Sequence, residues 1–409
     1  MQDLSLNLAY LQTSLKRVDL ILRYAIRRAQ AAGFTTDNEF QGLYVTETEL
    51  ERYLSLDPGA GLWDIAGTSF SIDDEVRQEF RAIEQNLLQI QDEAYQSHTS
   101  IRLIELASVF NLTEDDLALL LVSLAPTLDR RYERMYGFLQ DDVTKRRPTI
   151  NLVINFFGQD WNQRVRLLQR LTDEAPLIQH AIISIVNDTA DPHAPYLSHF
   201  LKVDPRIVSY LQGVDAIPEQ WQPVLRVVEP IYNNLDDLIL DPEIRQIARQ
   251  RFENSAPIYH LYGTYGSGKR TLASVLSSER GYPLLELDLQ TLKDGVTGIS
   301  APRQVKLALR EGRLRHAAIL VSKWDVMLDG HHDPPMWLWK ELLRYPYTVI
   351  LSGEEAWEPR GTSRDRPILR VELDLPDYES RLAHWKQLLD DPSIDPSELA
   401  YKFKLTGGQ

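Results

Sequence analysis

Cysteine is absent from this 409-residue chain. That excludes disulfides, thiolate metal sites and cysteine nucleophiles, and it fits a reducing compartment, so the expected location is cytoplasmic. No apolar run approaches the ~20 residues that a membrane-spanning helix requires, and no membrane partner is expected. Met1 to Gln30 carries Lys16, Arg17, Arg23, Arg27 and Arg28 among its apolar positions, which breaks the unbroken apolar stretch of a secretory leader. A basic segment is missing as well. Acidic residues outnumber Lys and Arg by 59 to 44, a formal net charge of -15. Counted along the sequence, residues 1–98 hold 8 basic against 16 acidic side chains, residues 99–213 hold 12 against 14, and residues 214–409 hold 24 against 29. Nucleic-acid binding draws much of its affinity from phosphate neutralisation, so nucleic acid is not the expected partner.

With 43% hydrophobic and 25% charged residues, the chain has the composition of a globular protein long enough for two or three domains. Leu4, Leu8, Leu11, Leu15, Leu20 and Leu22 recur near the helical period and predict a long amphipathic helix that ends before Gly33. A second helix is expected after the capping-box pair Thr46 and Glu49, and a third over about Asp73 to Tyr95. These make a helical domain over residues 1–97. Residues 98–213 read as winged-helix-like: "IRLIELASVF", a turn at Asn111, then "LALLLVSLA" capped by Thr113 and Asp116, two further helices, and the strand-like runs "AIISIV" and "YLSHFLKV". Arg130, Arg131, Arg134, Lys145, Arg146 and Arg147 could serve as phosphate contacts, but Asp129, Glu133, Asp141 and Asp142 are interleaved with them. The "TEDDLALLLVSLA" helix carries no positive charge, which favours protein docking over DNA reading.

Residues 214–250 form a proline-punctuated connection, and residues 251–376 alternate strand and helix. Four apolar runs, "PIYHLYG", "PLLELDL", "AAILV" and "YTVILSG", are separated by helical segments, an order that predicts α/β architecture with a parallel sheet and a ligand at the carboxyl ends of the strands. "GTYGSGKRT" joins the first run to its helix. Gly263, Gly268 and Lys269 satisfy the phosphate-loop pattern, with Gly266 and Ser267 inside it. Strand, glycine loop and helix in that order direct main-chain N–H groups and the positive helix end toward a phosphate, so ATP or ADP is the expected ligand. The position after the lysine, where a hydroxyl would ligate magnesium, holds Arg270, and Thr271 follows as the substitute metal ligand. "AAILV" should end in acids that hold magnesium and polarise water; it runs into Ser322 and Lys323, with Asp325 further on. Relative to a Thr, Asp and Glu set, these three positions add four positive charges: one at Arg270, one at Ser322 and two at Lys323. Unscreened, that charge implies nucleotide binding with little need of magnesium, and very slow turnover.

The glycine loop, "AAILVSKWDVM", "YTVILSGEEAW" and "LRVELDLPDYESRLAHWKQLL", with the upstream strings "FQGLYVTETELERYL", "TLDRRYERMYGFLQDDVTKRRPT" and "KVDPRIVSYLQG", resemble the AAA+ ATPases encoded with phage-tail-like extracellular contractile injection systems. The resemblance spans nearly the whole chain. It implies a P-loop AAA+ sheet preceded by helical and winged-helix parts, with residues 377–409 beginning a helical lid whose continuation, with a second sensor arginine, is not in the sequence. It further implies Lys269 on the β- and γ-phosphates, Ser352 as the polar sensor, and Arg364 or Arg366 as the finger offered to a neighbouring subunit in a homo-oligomeric ring. Partners would be protein components or cargo of the injection apparatus. A nucleotide-binding scaffold or switch without turnover, and a DNA-associated initiator-type protein, are the alternatives. The winged helix precedes the nucleotide domain and the charge is acidic, the reverse of the initiator pattern.

Overall fold

The computed structural model describes residues 2–32, 47–56, 74–158, 160–187, 191, 193–250, 256–359, 366–373, 375–389 and 394–403. The chain divides into two compact units, Met1–Ala216 and Ile217–Gln409.

The first unit opens on the helix Gln2–Ala31, which buries Leu11, Val18, Leu22, Ala25 and Ala29 along one stripe, while Leu4 and Leu8 stay exposed. It packs against the helix Asp74–Gln96 through Leu87, Ile90 and Ala94. Arg17–Glu84 at 2.6 Å and Arg23–Glu79 at 2.9 Å flank the seam. Thr46 of the expected capping box lies outside the described residues. The helix Glu114–Leu128 does begin on a capping box, Thr113 with Asp116. Leu119 to Ala125 are all buried, so this helix is the unit's hydrophobic centre, and its lack of positive charge reflects burial rather than a docking face. β1 (Ile183–Val186) and β2 (Phe200–Val203) form an antiparallel pair, as the two apolar runs predict. Of the proposed phosphate contacts, Arg131 is paired with Asp19 and Asp129, and Lys145 lies 3.8 Å from Asp142.

The second unit is a six-stranded sheet built from β3 (Leu225–Val228), β4 (Ile258–Tyr262), β5 (Leu284–Asp288), β6 (Ala318–Ser322), β7 (Val349–Ser352) and β8 (Ile368–Glu372), in the order β3-β5-β6-β7-β4-β8. All neighbours are parallel except β3, which pairs antiparallel with β5. The central strands read as continuous apolar runs because both sheet faces are covered. Leu285, Leu287, Ile319, Val321, Val349 and Leu351 enter one core with the helices Ala301–Leu314 and Met336–Leu343; Leu284, Leu320, Ile350, Tyr259 and Leu261 enter another with the helix Lys269–Ser278. Each fully buried aliphatic side chain contributes roughly 1.5–3 kcal/mol. Beyond the sheet lie the helices Tyr378–Leu388 and Pro396–Lys402, which pack on each other. Among the described residues, no helix is long and apolar enough to cross a membrane.

Candidate phosphate-loop site

β4 ends at Tyr262 between β7 and β8, and the glycine loop leaves the sheet at that point. Gly263 has φ +130°, and a Cβ there would sit 2.2 Å from the Leu373 carbonyl oxygen at the end of β8. Gly266 and Gly268 have φ +81° and +89°, conformations that glycine adopts without steric cost. Gly268 is the N-cap of the helix Lys269–Ser278, and nothing lies within 4 Å of where its Cβ would be. The loop is therefore tightly docked where it leaves the sheet and open where it meets the helix. Lys269 folds back over it, donating from Nζ to the Gly263 carbonyl at 2.7 Å and the Thr264 carbonyl at 2.8 Å. Burial lowers the pKa of this ammonium, against the charges of Glu354 and Asp325, which raise it. The Ser267 hydroxyl is buried and has no hydrogen-bond partner among the described residues. Thr271, the third residue of the helix, is half-buried, and its carbonyl accepts from the Ser274 hydroxyl.

Across the carboxyl ends of the strands, Asp288, Ser322, Ser352 and Leu261 stand in one register row. Leu261 belongs to the core beneath the helix Lys269–Ser278, and residues in one row of a parallel sheet share a face. Ser322 and Ser352 consequently sit on the glycine-loop side, Ser322 donating weakly to the Leu287 carbonyl at 3.4 Å.

The two cations flanking this row are not unscreened, which corrects the charge argument drawn from sequence. Arg270 pairs with Glu286 at 3.0 Å, and the same carboxylate oxygen holds Arg226 of β3, also at 3.0 Å. Lys323 lies 3.0 Å from Asp288. Burial raises the Asp288 pKa, but the Thr291 and Gln290 N–H groups and the Lys323 ammonium outweigh it and hold the carboxyl below the ordinary range. The signal for these pairs was present in "PLLELDL": acids in a strand buried on both faces require cations beside them. Sequence reading missed Glu286 as a partner because the pairing depends on how a helix lies against a strand.

Lys323 itself is left-handed, with φ +58° and ψ +47°, a conformation that costs a residue with a Cβ roughly 1–2 kcal/mol. The turn buries Trp324 completely and returns Asp325 toward the end of β7. Asp325 Oδ2 accepts the Glu354 N–H at 2.6 Å, while Oδ1 is buried with no hydrogen-bond partner among the described residues. A Cβ at Gly353 would lie 2.5 Å from Oδ1. His260, fully buried on β4, also leaves both ring nitrogens without a hydrogen bond among the described residues. It stacks on Tyr262 at 5.2 Å and meets Trp357 edge-on. Burial pushes its pKa down to about 4, with Asp325 opposing and Arg370 assisting the shift.

The two arginines proposed as fingers fare differently. Arg364 lies outside the described residues. Arg366 is 8% exposed, and its guanidinium donates to the main-chain carbonyls of Ala256, Leu342, Tyr345 and Tyr347. It is spent inside its own unit and cannot reach a neighbouring subunit, which corrects the expectation for that residue.

No curated protein matches the sequence. Among solved structures, a chain from a structural study of katanin self-assembly is 18% identical, covering 47% of this chain and 73% of that one, with a TM-score of 0.35; a likeness at that score carries no conclusion. The family model described as "Winged helix domain, variant" matches residues 5–225. That is more than half of the 409 residues, and the chain belongs to this winged-helix family.

Proposed function

We propose that the second unit binds ATP or ADP at the loop Gly263–Thr271, as the nucleotide domain of an AAA+-like protein. The observation that carries this reading is the docked but open glycine loop: left-handed Gly266 and Gly268 and, among the described residues, a Ser267 hydroxyl without a hydrogen-bond partner and a Lys269 ammonium held by loop carbonyls that phosphate oxygens can replace. Ser352 would sense the terminal phosphate, a role its position in the register row with Ser322 and Leu261 supports. No carboxylate occupies the end of β6, where the water-polarising acid is expected, so turnover is slow and binding dominates. Magnesium, when bound, would neutralise phosphate charge as nucleotide domains of this kind require.

The family resemblance in sequence supports a role in assembling, remodelling or loading protein components of a contractile injection apparatus, as a homo-oligomer. The interleaved charges of the first unit favour protein over nucleic acid as what that unit docks. The test is calorimetry of the full chain with ATP in chelator. Parent protein should bind, and Lys269→Ala should bind at least tenfold more weakly. Equal affinity in both proteins, or no binding by either in chelator and in magnesium alike, removes the reading.

A further inference from the structure

We propose that Asp325 replaces the missing strand-end acid and holds a divalent cation riding on the nucleotide phosphates; this inference rests on the nucleotide reading above. The residues at the ordinary positions do not fit a cation. Arg270 and Lys323 are themselves cationic, Ser322 is neutral, and the nearest acids, Glu286 and Asp288, are occupied by those cations at 3.0 Å. Among the described residues no group of three or more potential ligands forms a cage. Magnesium does not need one, because it commonly takes one or two carboxylates and completes its shell with phosphates and water.

One carboxylate fits that requirement. Asp325 keeps Oδ1 buried and unpartnered while Oδ2 is fixed by the Glu354 N–H at 2.6 Å. It packs against Gly353, whose N–H donates to the Leu261 carbonyl at 3.1 Å two residues before the glycine loop begins, and its charge is felt at Lys269, which folds over that loop. The left-handed turn at Lys323 is what brings it there. A strand advances about 3.3 Å per residue, and continuing β6 straight would carry residue 325 away from the row of Ser322 and Ser352. The turn at Lys323 instead folds the chain back against Gly353, immediately after Ser352. Gly353 leaves room for the oxygen, since any Cβ there would overlap it. A strained residue, a glycine wall and an orphaned oxygen thus converge on one carboxylate. Lys323 is balanced by Asp288 before a cation arrives, whereas Glu286 is shared between Arg270 and Arg226 and leaves that trio one net positive charge.

The experiment measures ATP affinity of the full chain by calorimetry in EDTA and in magnesium, for the parent, Asp325→Asn, and Ser322→Asp combined with Asp325→Asn. Asparagine keeps an oxygen for the Glu354 N–H, so the fold is retained, which circular dichroism checks. The parent should gain at least fivefold in affinity with magnesium. Asp325→Asn should lose that gain while binding ATP in EDTA as well as or better than the parent, and the double variant should recover part of it by restoring a carboxylate at the end of β6. A parent with no magnesium gain, or an Asp325→Asn protein that keeps the full gain, overturns the proposal. Absence of ATP binding in EDTA and in magnesium alike would instead overturn the nucleotide reading itself.

Discussion

A guanidinium surrounded by four carbonyls and a buried imidazole with no hydrogen bond among the described residues are opposite solutions to polarity inside a core. Arg366 donates to Ala256 at 2.6 Å, Leu342 at 2.9 Å and Tyr345 at 2.7 Å, and to Tyr347. Burial lowers its pKa to about 10, with Tyr345 opposing, so it remains charged at neutral pH. Arg366→Met would strand those carbonyls and should cost about 3–5 kcal/mol, read as a lower urea midpoint. An unchanged midpoint would show that the arginine is not a structural clamp. His260 carries the opposite sign with pH. Its folded pKa of about 4 lies below the unfolded value near 6.5, so between these values the unfolded chain takes up a proton that the folded chain refuses. Stability from this site is whole above pH 6.5 and falls as pH drops toward 4, by about 2 kcal/mol at pH 5. His260→Phe should flatten the decline in urea midpoint between pH 7 and pH 5; the same decline in both proteins would acquit the histidine.

At the scale of elements, the glycine loop was legible because its geometry is written in residue type. Positive φ at Gly263, Gly266 and Gly268 is a demand that sequence can display. Two of those glycines do different work, and that distinction was not legible. Gly263→Ala would press a Cβ to 2.2 Å from the Leu373 carbonyl, whereas Gly268→Ala meets nothing. The first should cost well over ~2 kcal/mol, and the second about 1 kcal/mol from the left-handed backbone alone. Thermal unfolding of the two variants measures the difference, and equal losses would refute the close approach at Gly263. β4 to β7 announced themselves as apolar runs between helical patterns. β3 and β8 did not, because edge strands need no continuous apolar run: Arg226 and Val227 of β3 face outward, as do Arg370 and Glu372 of β8. Asp325 was visible as an acid but not as an oriented one, since only the left-handed Lys323 reveals where the chain turns.

For the whole molecule, charge and burial agree on what the first unit avoids. Arg131 is answered by Asp19 and Asp129, Arg102 by Asp215 and Arg17 by Glu84, and the central helix is enclosed. The full chain should therefore leave the fluorescence polarisation of a labelled DNA duplex unchanged at micromolar protein and physiological salt; tight binding that weakens steeply with salt would contradict this. The boundary between the units at Ala216 and Ile217 has a mechanical corollary. The first strand after that boundary is β3, a four-residue antiparallel edge, and its Arg226 shares one Glu286 oxygen with Arg270 of the glycine-loop helix. A tensile load entering along the connecting chain would meet the packed Ile217 and Trp221 first and this short ladder next, and the ion pair at the glycine-loop helix would feel it once the ladder gave way.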